Sequence, residues 1–291
     1  MNDVTLQEMK SLLGDRNVGR RTFIVSSLGS GFALAVLPVS AQTMITTSAE
    51  GLVAGEVKVP AAGGDMPAYR AMPATGGNFP VILVSQEIFG VHEHIKDMCR
   101  RYAKLGYFAI APELYARQGD PSKVTDIPKI MSDIVRKVPD AQVVADLDAC
   151  VAYAKGTGKA DVTKLGITGF CWGGRTTLMY AAHNPNVKAA VAYYGPTVSS
   201  YFPGDKTALD NAGSIKGAVL GLYGGADGGI PNDTVEKMFA AIKTGGNAKS
   251  EFVIYPDTPH GFNADYRPTY RKEAADDAWQ RATAWFKKNL G

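Results

Sequence analysis

The stretch Gly169-Phe170-Cys171-Trp172-Gly173 sets a cysteine between two glycines, each two residues away. Such spacing fits a sharp strand-to-helix turn, closed because the flanking residues have no Cβ and presenting the central side chain outward. A helix that starts at the cysteine also lowers the thiol pKa and favours the thiolate. Two partners follow: Asp227, among Gly224, Gly225, Gly228 and Gly229, and His260 in Pro259-His260-Gly261. A thiol, an imidazole and a carboxylate suit nucleophilic acyl transfer, in which cysteine attacks, histidine moves the proton and the acid orients the histidine. Asp257 is an alternative acid. His92, His94 and His183 rank below His260, because His92-Glu93-His94 lacks further ligands at metal-binding spacing and His183 closes a helix as a terminal cation would. No metal is expected.

These residues need a scaffold that brings three distant points together. Apolar runs of strand length occupy 79–86, 107–113, 164–170, 187–195, 216–225 and 249–256, and helical periodicity fills 91–106, 140–156, 172–185, 232–246 and 271–290. Ahead of them, 56–60 and 66–72 read as a hairpin with a glycine-supplied turn. This alternation predicts an α/β fold of three layers, a mainly parallel sheet with helices on both faces. Cys171, Asp227 and His260 each fall just past a strand, where such sheets gather their reactive groups. Residues 114–129 break all periodicity and are expected to be a long surface excursion. Cys99 and Cys150 sit in helical patterns as small hydrophobes.

The 291 residues are 45% hydrophobic and 20% charged, enough for one substantial core, and disordered or collagen-like classes are excluded. Residues 1–41 read separately as an export signal: Arg20 and Arg21, an apolar run from Thr22 to Leu37 diluted by serine and glycine, then Val39-Ser40-Ala41 before a cleavage point at Gln42. The adjacent arginines resemble a twin-arginine signal, so the expected location is the periplasm or beyond, with the twin-arginine machinery as partner of the precursor. The run is short for a membrane anchor, the alternative reading. Residues 42–53 form an extension and 54–291 the catalytic domain. The formal net charge of +3 becomes +2 without residues 1–41, which gives no footprint for nucleic acid. A monomer is expected.

Taken together, Ser85–Val91 (SQEIFGV), Pro112–Asp120 (PELYARQGD), Gly169–Gly174 (GFCWGG), Gly224–Asp227 (GGAD) and Pro259–Phe262 (PHGF) resemble the dienelactone hydrolase family, within the α/β-hydrolase fold. The likeness runs through most of residues 54–290, and the order nucleophile, acid, histidine is that of α/β-hydrolase triads. The resemblance implies a hydrolase of activated esters or lactones, similar to carboxymethylenebutenolidase, that works through a thioester without a cofactor. It implies Cys171, Asp227 and His260 as the triad, Glu87 as a carboxylate touching the cysteine, and the N–H groups of Ile88 and Trp172 as the oxyanion hole. Placed so, Glu87 would hold the thiol protonated by like-charge repulsion. Arg117 matches a substrate-binding arginine, and Tyr193 and Tyr194 would shape the pocket. The prototype's second arginine, four residues after the histidine, is Ala264 here; Arg267 is the nearest replacement. An acyltransferase or thioesterase, or a non-catalytic binder of small acids on the same fold, are the alternatives.

Overall fold

The computed structural model describes residues 46–202 and 204–291. The expected export signal and the start of the 42–53 extension lie outside the described residues.

Eight strands form one sheet: β1 (Leu52–Ala61), β2 (Gly64–Pro73), β3 (Phe79–Ser85), β4 (Phe108–Pro112), β5 (Ala160–Phe170), β6 (Val187–Tyr193), β7 (Ala218–Gly224) and β8 (Glu251–Tyr255). Their order is β1-β2-β4-β3-β5-β6-β7-β8. The expected hairpin is β1–β2; it pairs antiparallel with β4, and every later pairing is parallel. β4 and β7 are buried along their whole length, as continuous apolar runs covered on two faces must be. β1, at one edge, alternates instead between inward and outward positions.

Among the described residues, five helices of more than ten residues cover the sheet: α1 (Glu93–Lys104), α2 (Asp140–Gly156), α3 (Trp172–His183), α4 (Asn232–Thr244) and α5 (Lys272–Leu290). Tyr102 of α1 packs on Trp279 and Phe286 of α5, which places those two helices on one face. On the other face α2 lies beside α3, and α4 reaches α3 through the short helical turns at Ala208–Ser214. The three-layer α/β architecture is the expected one. Cys99 and Cys150 are buried within α1 and α2. Among the described residues no helix is long and apolar enough to cross a membrane.

The segment 114–129 differs from expectation. Leu114 and Tyr115 are fully buried and Ile127 nearly so, while Arg117 and Asp120 face solvent. These apolar residues plug the core at irregular intervals, so they leave neither a two-residue nor a 3.6-residue period to detect.

Between β5 and α3 the chain makes the turn that the glycines imply. Cys171 adopts φ 56° and ψ −119°, a left-handed backbone that costs a non-glycine residue on the order of 1–3 kcal/mol. Its N–H donates to the Tyr193 carbonyl at 3.1 Å and its carbonyl accepts from Arg175 N–H at 3.1 Å, so both sides of the strained residue are tied down. The first turn of α3 presses on the sheet: a Cβ on Gly173 would stand 2.4 Å from the carbonyl oxygens of both Ser85 and Gln86, and one on Gly169 would stand 2.1 Å from the Gly173 carbonyl oxygen. Gly173→Ala is therefore expected to lose at least about 1–3 kcal/mol, read as a lower midpoint in urea unfolding; an unchanged midpoint would show that the helix tolerates retreat from β3.

Candidate active site

The carboxyl ends of β3, β5, β7 and β8 bring Glu87, Cys171, Asp227 and His260 to one side of the sheet, all buried. Asp227 Oδ2 lies 2.6 Å from His260 Nδ1. Its other oxygen accepts the Gly229 N–H at 2.9 Å, which fixes the carboxylate in its glycine loop. Asp257, the alternative acid, is exposed at φ 54° in the turn after β8 and plays no part. With Nδ1 engaged, His260 presents a buried Nε2 that meets the hydrogen-bond criteria with no group among the described residues and has the Cys171 sulfur near it. Burial alone would push the imidazole pKa down, but the Asp227 carboxylate and the nearby Cys171 sulfur outweigh it and hold His260 above the usual histidine range. The imidazole therefore holds its proton beside Cys171.

Among the described residues no acceptor meets the Ile88 N–H. The Trp172 N–H opens α3, where first-turn donors lack intrahelical partners. Both donors belong to segments flanking the cysteine. Tyr194, at φ 35°, sets its ring centroid 4.9 Å from that of His260, the two planes tilted by 59°. Tyr193 points the other way: its hydroxyl donates to the Ala278 carbonyl of α5 at 3.4 Å, so it belongs to the core and not to the pocket as expected. Tyr194 follows the end of β6 with a left-handed backbone, and it is this residue whose ring lies beside His260.

Glu87 also departs from expectation. One carboxylate oxygen accepts from Arg267 Nη2 at 3.1 Å; the other is 3.2 Å from His92 Nε2 and accepts the Tyr266 hydroxyl. Burial alone would raise its pKa, yet Arg267, His92 and Tyr266 together hold the carboxyl well below the usual range. Its charge is therefore matched by Arg267, and it is not the lone carboxylate that would press on the Cys171 thiol. Arg267 is itself sandwiched, its guanidinium 5.2 Å from the Phe89 ring centroid and 5.5 Å from that of Tyr266. Arg117 is placed elsewhere: it makes a bidentate pair with Asp146 of α2, at 2.8 and 2.7 Å, and donates to the Ala62 carbonyl of the hairpin. A guanidinium whose fork is already filled by a carboxylate is not waiting for a substrate anion.

Sequence reasoning missed two participants. His92 was ranked only as a weak rival for the base, and it instead holds Glu87; Tyr266 carries no motif beyond its place next to Arg267. His94 and Asp265 extend the same layer, 3.2 Å apart, with Arg101 bonded to the second Asp265 oxygen at 2.9 Å. His183 lies away from the site on Asp148.

Residues 66–290 match the model of the dienelactone hydrolase family. This chain belongs to the dienelactone hydrolase family. Within it, a Methylorubrum extorquens protein named "Putative carboxymethylenebutenolidase" is 61% identical over 97% of each chain. One of the same name from Escherichia coli K12 is 52% identical, covering 90% of this chain and 96% of the relative. A Klebsiella pneumoniae crystal structure, described as a "Putative Dienelactone Hydrolase", superposes with TM-score 0.78 at 52% identity, over 81% of this chain and 99% of that one. The chain is accordingly a hydrolase of the dienelactone hydrolase type, acting on carboxylic esters.

The ion pair at Glu87 gives a test in stability. Arg267→Met would strand a buried carboxylate, a loss of about 3–5 kcal/mol at neutral pH. In the wild type the low Glu87 pKa contributes stability above the unfolded carboxylate range that is lost as pH falls. In the variant, desolvation raises that pKa and protonation relieves the cost. The gap between the two proteins should be widest near pH 8 and narrow toward pH 5 in denaturant titrations; a gap independent of pH would mean that Glu87 is not the stranded charge.

Proposed function

We propose that this protein opens activated esters or lactones through a Cys171 thioester. Attack by the Cys171 Sγ thiolate on the carbonyl carbon forms a C–S bond and moves the π electrons onto oxygen. Developing charge there is met by the Ile88 and Trp172 N–H groups. As the C–O bond breaks, the leaving alkoxide takes the proton from His260 Nε2; in a lactone the two products remain one molecule. Water then gives a proton to Nε2 and adds to the thioester carbon, the C–S bond breaks, and a carboxylic acid leaves. Asp227 keeps the His260 ring oriented and offsets its positive charge in both half-reactions. The observation that carries this reading is the buried Nε2 of a histidine already paired with Asp227, poised beside a cysteine held in a strained turn.

The two arginines weighed for a substrate anion already face carboxylates, Arg267 on Glu87 at the site and Arg117 on Asp146 away from it. An acidic substrate would have to displace one of them, so neutral esters and lactones fit the resting site better than dienelactone acids.

Cys171→Ala should lose at least about 10³-fold in kcat on an activated ester with KM little altered. Wild-type protein should show a burst of product and an acyl adduct at Cys171 by mass spectrometry. Equal turnover by the two proteins would remove the proposal.

We further infer export by the twin-arginine route, supported by Arg20, Arg21 and the diluted apolar run that follows. In a Gram-negative host the exported protein should begin at Gln42, and replacing Arg20 and Arg21 by lysine should leave precursor in the cytoplasm. Undiminished periplasmic yield from that variant would overturn the route.

A further inference from the structure

Glu113 has no role in the chemistry above, yet it is bonded to the loop that carries the oxyanion donor. This loop, Gln86 to His92, leaves β3 and enters α1, with Ile88 near its middle. Two side-chain bonds strap its ends to the end of β4, in opposite directions. Gln86 Oε1 accepts the Leu114 N–H at 3.2 Å, and Glu113 Oε1 accepts the Val91 N–H at 3.0 Å. Between them the loop folds on itself, with the Gly90 N–H on the Glu87 carbonyl at 3.3 Å. Glu113 is anchored independently of the loop, because its own N–H donates to the Pro67 carbonyl of β2 at 2.8 Å. Gly90 runs directly under the carboxylate at φ 79°, and a Cβ there would stand 3.1 Å from Glu113 Oε2 and 3.2 Å from Pro121 Cγ. The carboxylate therefore grips the loop by one oxygen and backs onto it with the other.

We propose that Glu113 is a positioning residue of this hydrolase, clamping the Gln86–His92 loop through Val91 so that the Ile88 N–H stays aimed at the oxyanion. The inference rests on the hydrolase reading. An ionised acceptor makes a bond roughly twice as strong as a neutral one, so the clamp tightens as Glu113 loses its proton. Burial pushes this carboxyl up to about 7, the Val91 bond partly opposing it; Asp120 from the following loop and Glu56 from β1 push the same way as burial, and Lys96 of α1 pulls back. Raising the pH through neutrality hence firms the loop. The same ionisation costs stability, because a raised folded-state pKa means that the folded protein binds the proton more tightly than the unfolded chain.

Glu113→Met keeps the volume and removes the acceptor; Glu113→Gln keeps a neutral acceptor. Expected for Met is a kcat on an activated ester lower by roughly 10-fold or more, short of the 10²–10³-fold for losing an oxyanion donor outright, with KM within about two-fold. Amide exchange across residues 88–91 should accelerate in Met and recover in Gln. Gln should also keep most of the turnover, lack the neutral-range rise in kcat that separates it from wild type, and resist urea better than wild type at pH 8. Wild-type kcat in a folded Met variant overturns the proposal, whether or not exchange changes, and so does a Gln variant with the wild-type pH profile. Should the wild type turn over no ester, the hydrolase reading fails on its own; unaltered exchange at 88–91 in Met would then refute the clamp separately.

Discussion

Gly173 lies against the carbonyl oxygens of Ser85 and Gln86, and the geometry of the site follows from that contact. Because the helix can come so close to β3, the chain has no room between β5 and α3 for a relaxed turn. Cys171 takes the strain, and its backbone is held from both sides by Tyr193 and Arg175. The same approach sets the first turn of α3 against the end of β3, in line with the loop that leaves it. A turn relaxed by a longer loop would lower the strain and lose the alignment.

Charge is handled differently on the two sides of the cysteine. On one side Asp227 and His260 form a pair that keeps a proton available next to the thiol. On the other, Glu87 is enclosed by Arg267, His92 and Tyr266. A buried carboxylate needs each of those partners, since desolvation works against its charge. The aromatic faces of Phe89 and Tyr266 confine the guanidinium in turn. One layer of the site is thus a proton store and the other a rigid, balanced wall.

Much of this was legible in the sequence, for reasons that can be named. The elbow glycines, the acid in its glycine loop and the histidine after the last strand are local signals, and the alternating apolar runs placed each at a strand end. What escaped was pairing at a distance. Arg117 sits in a family motif, and only the fold reveals that Asp146 of α2 has already claimed it. Tyr193 and Tyr194 are adjacent letters, and which of them meets His260 depends on where β6 ends and the chain turns to φ 35°. Glu87 is marked by its motif and His92 is five residues away, but Tyr266 and Arg267 lie 179 and 180 residues further along, too far for any spacing rule. Leu114, Tyr115 and Ile127 are apolar without a period, so their segment reads as surface although they fill the core.

That distance along the chain also orders events in time. During synthesis Glu87 emerges first, Cys171 next, and His260 and Arg267 almost at the end. A ribosome-bound chain that has released α3 but not the segment beyond β8 has a cysteine with no imidazole beside it and a glutamate with no guanidinium. Burying that carboxylate alone is unfavourable, so the wall of the site stays open until Arg267 arrives. The thiol consequently lacks its imidazole until the chain is nearly complete. A cut ahead of His260 returns the molecule to that condition.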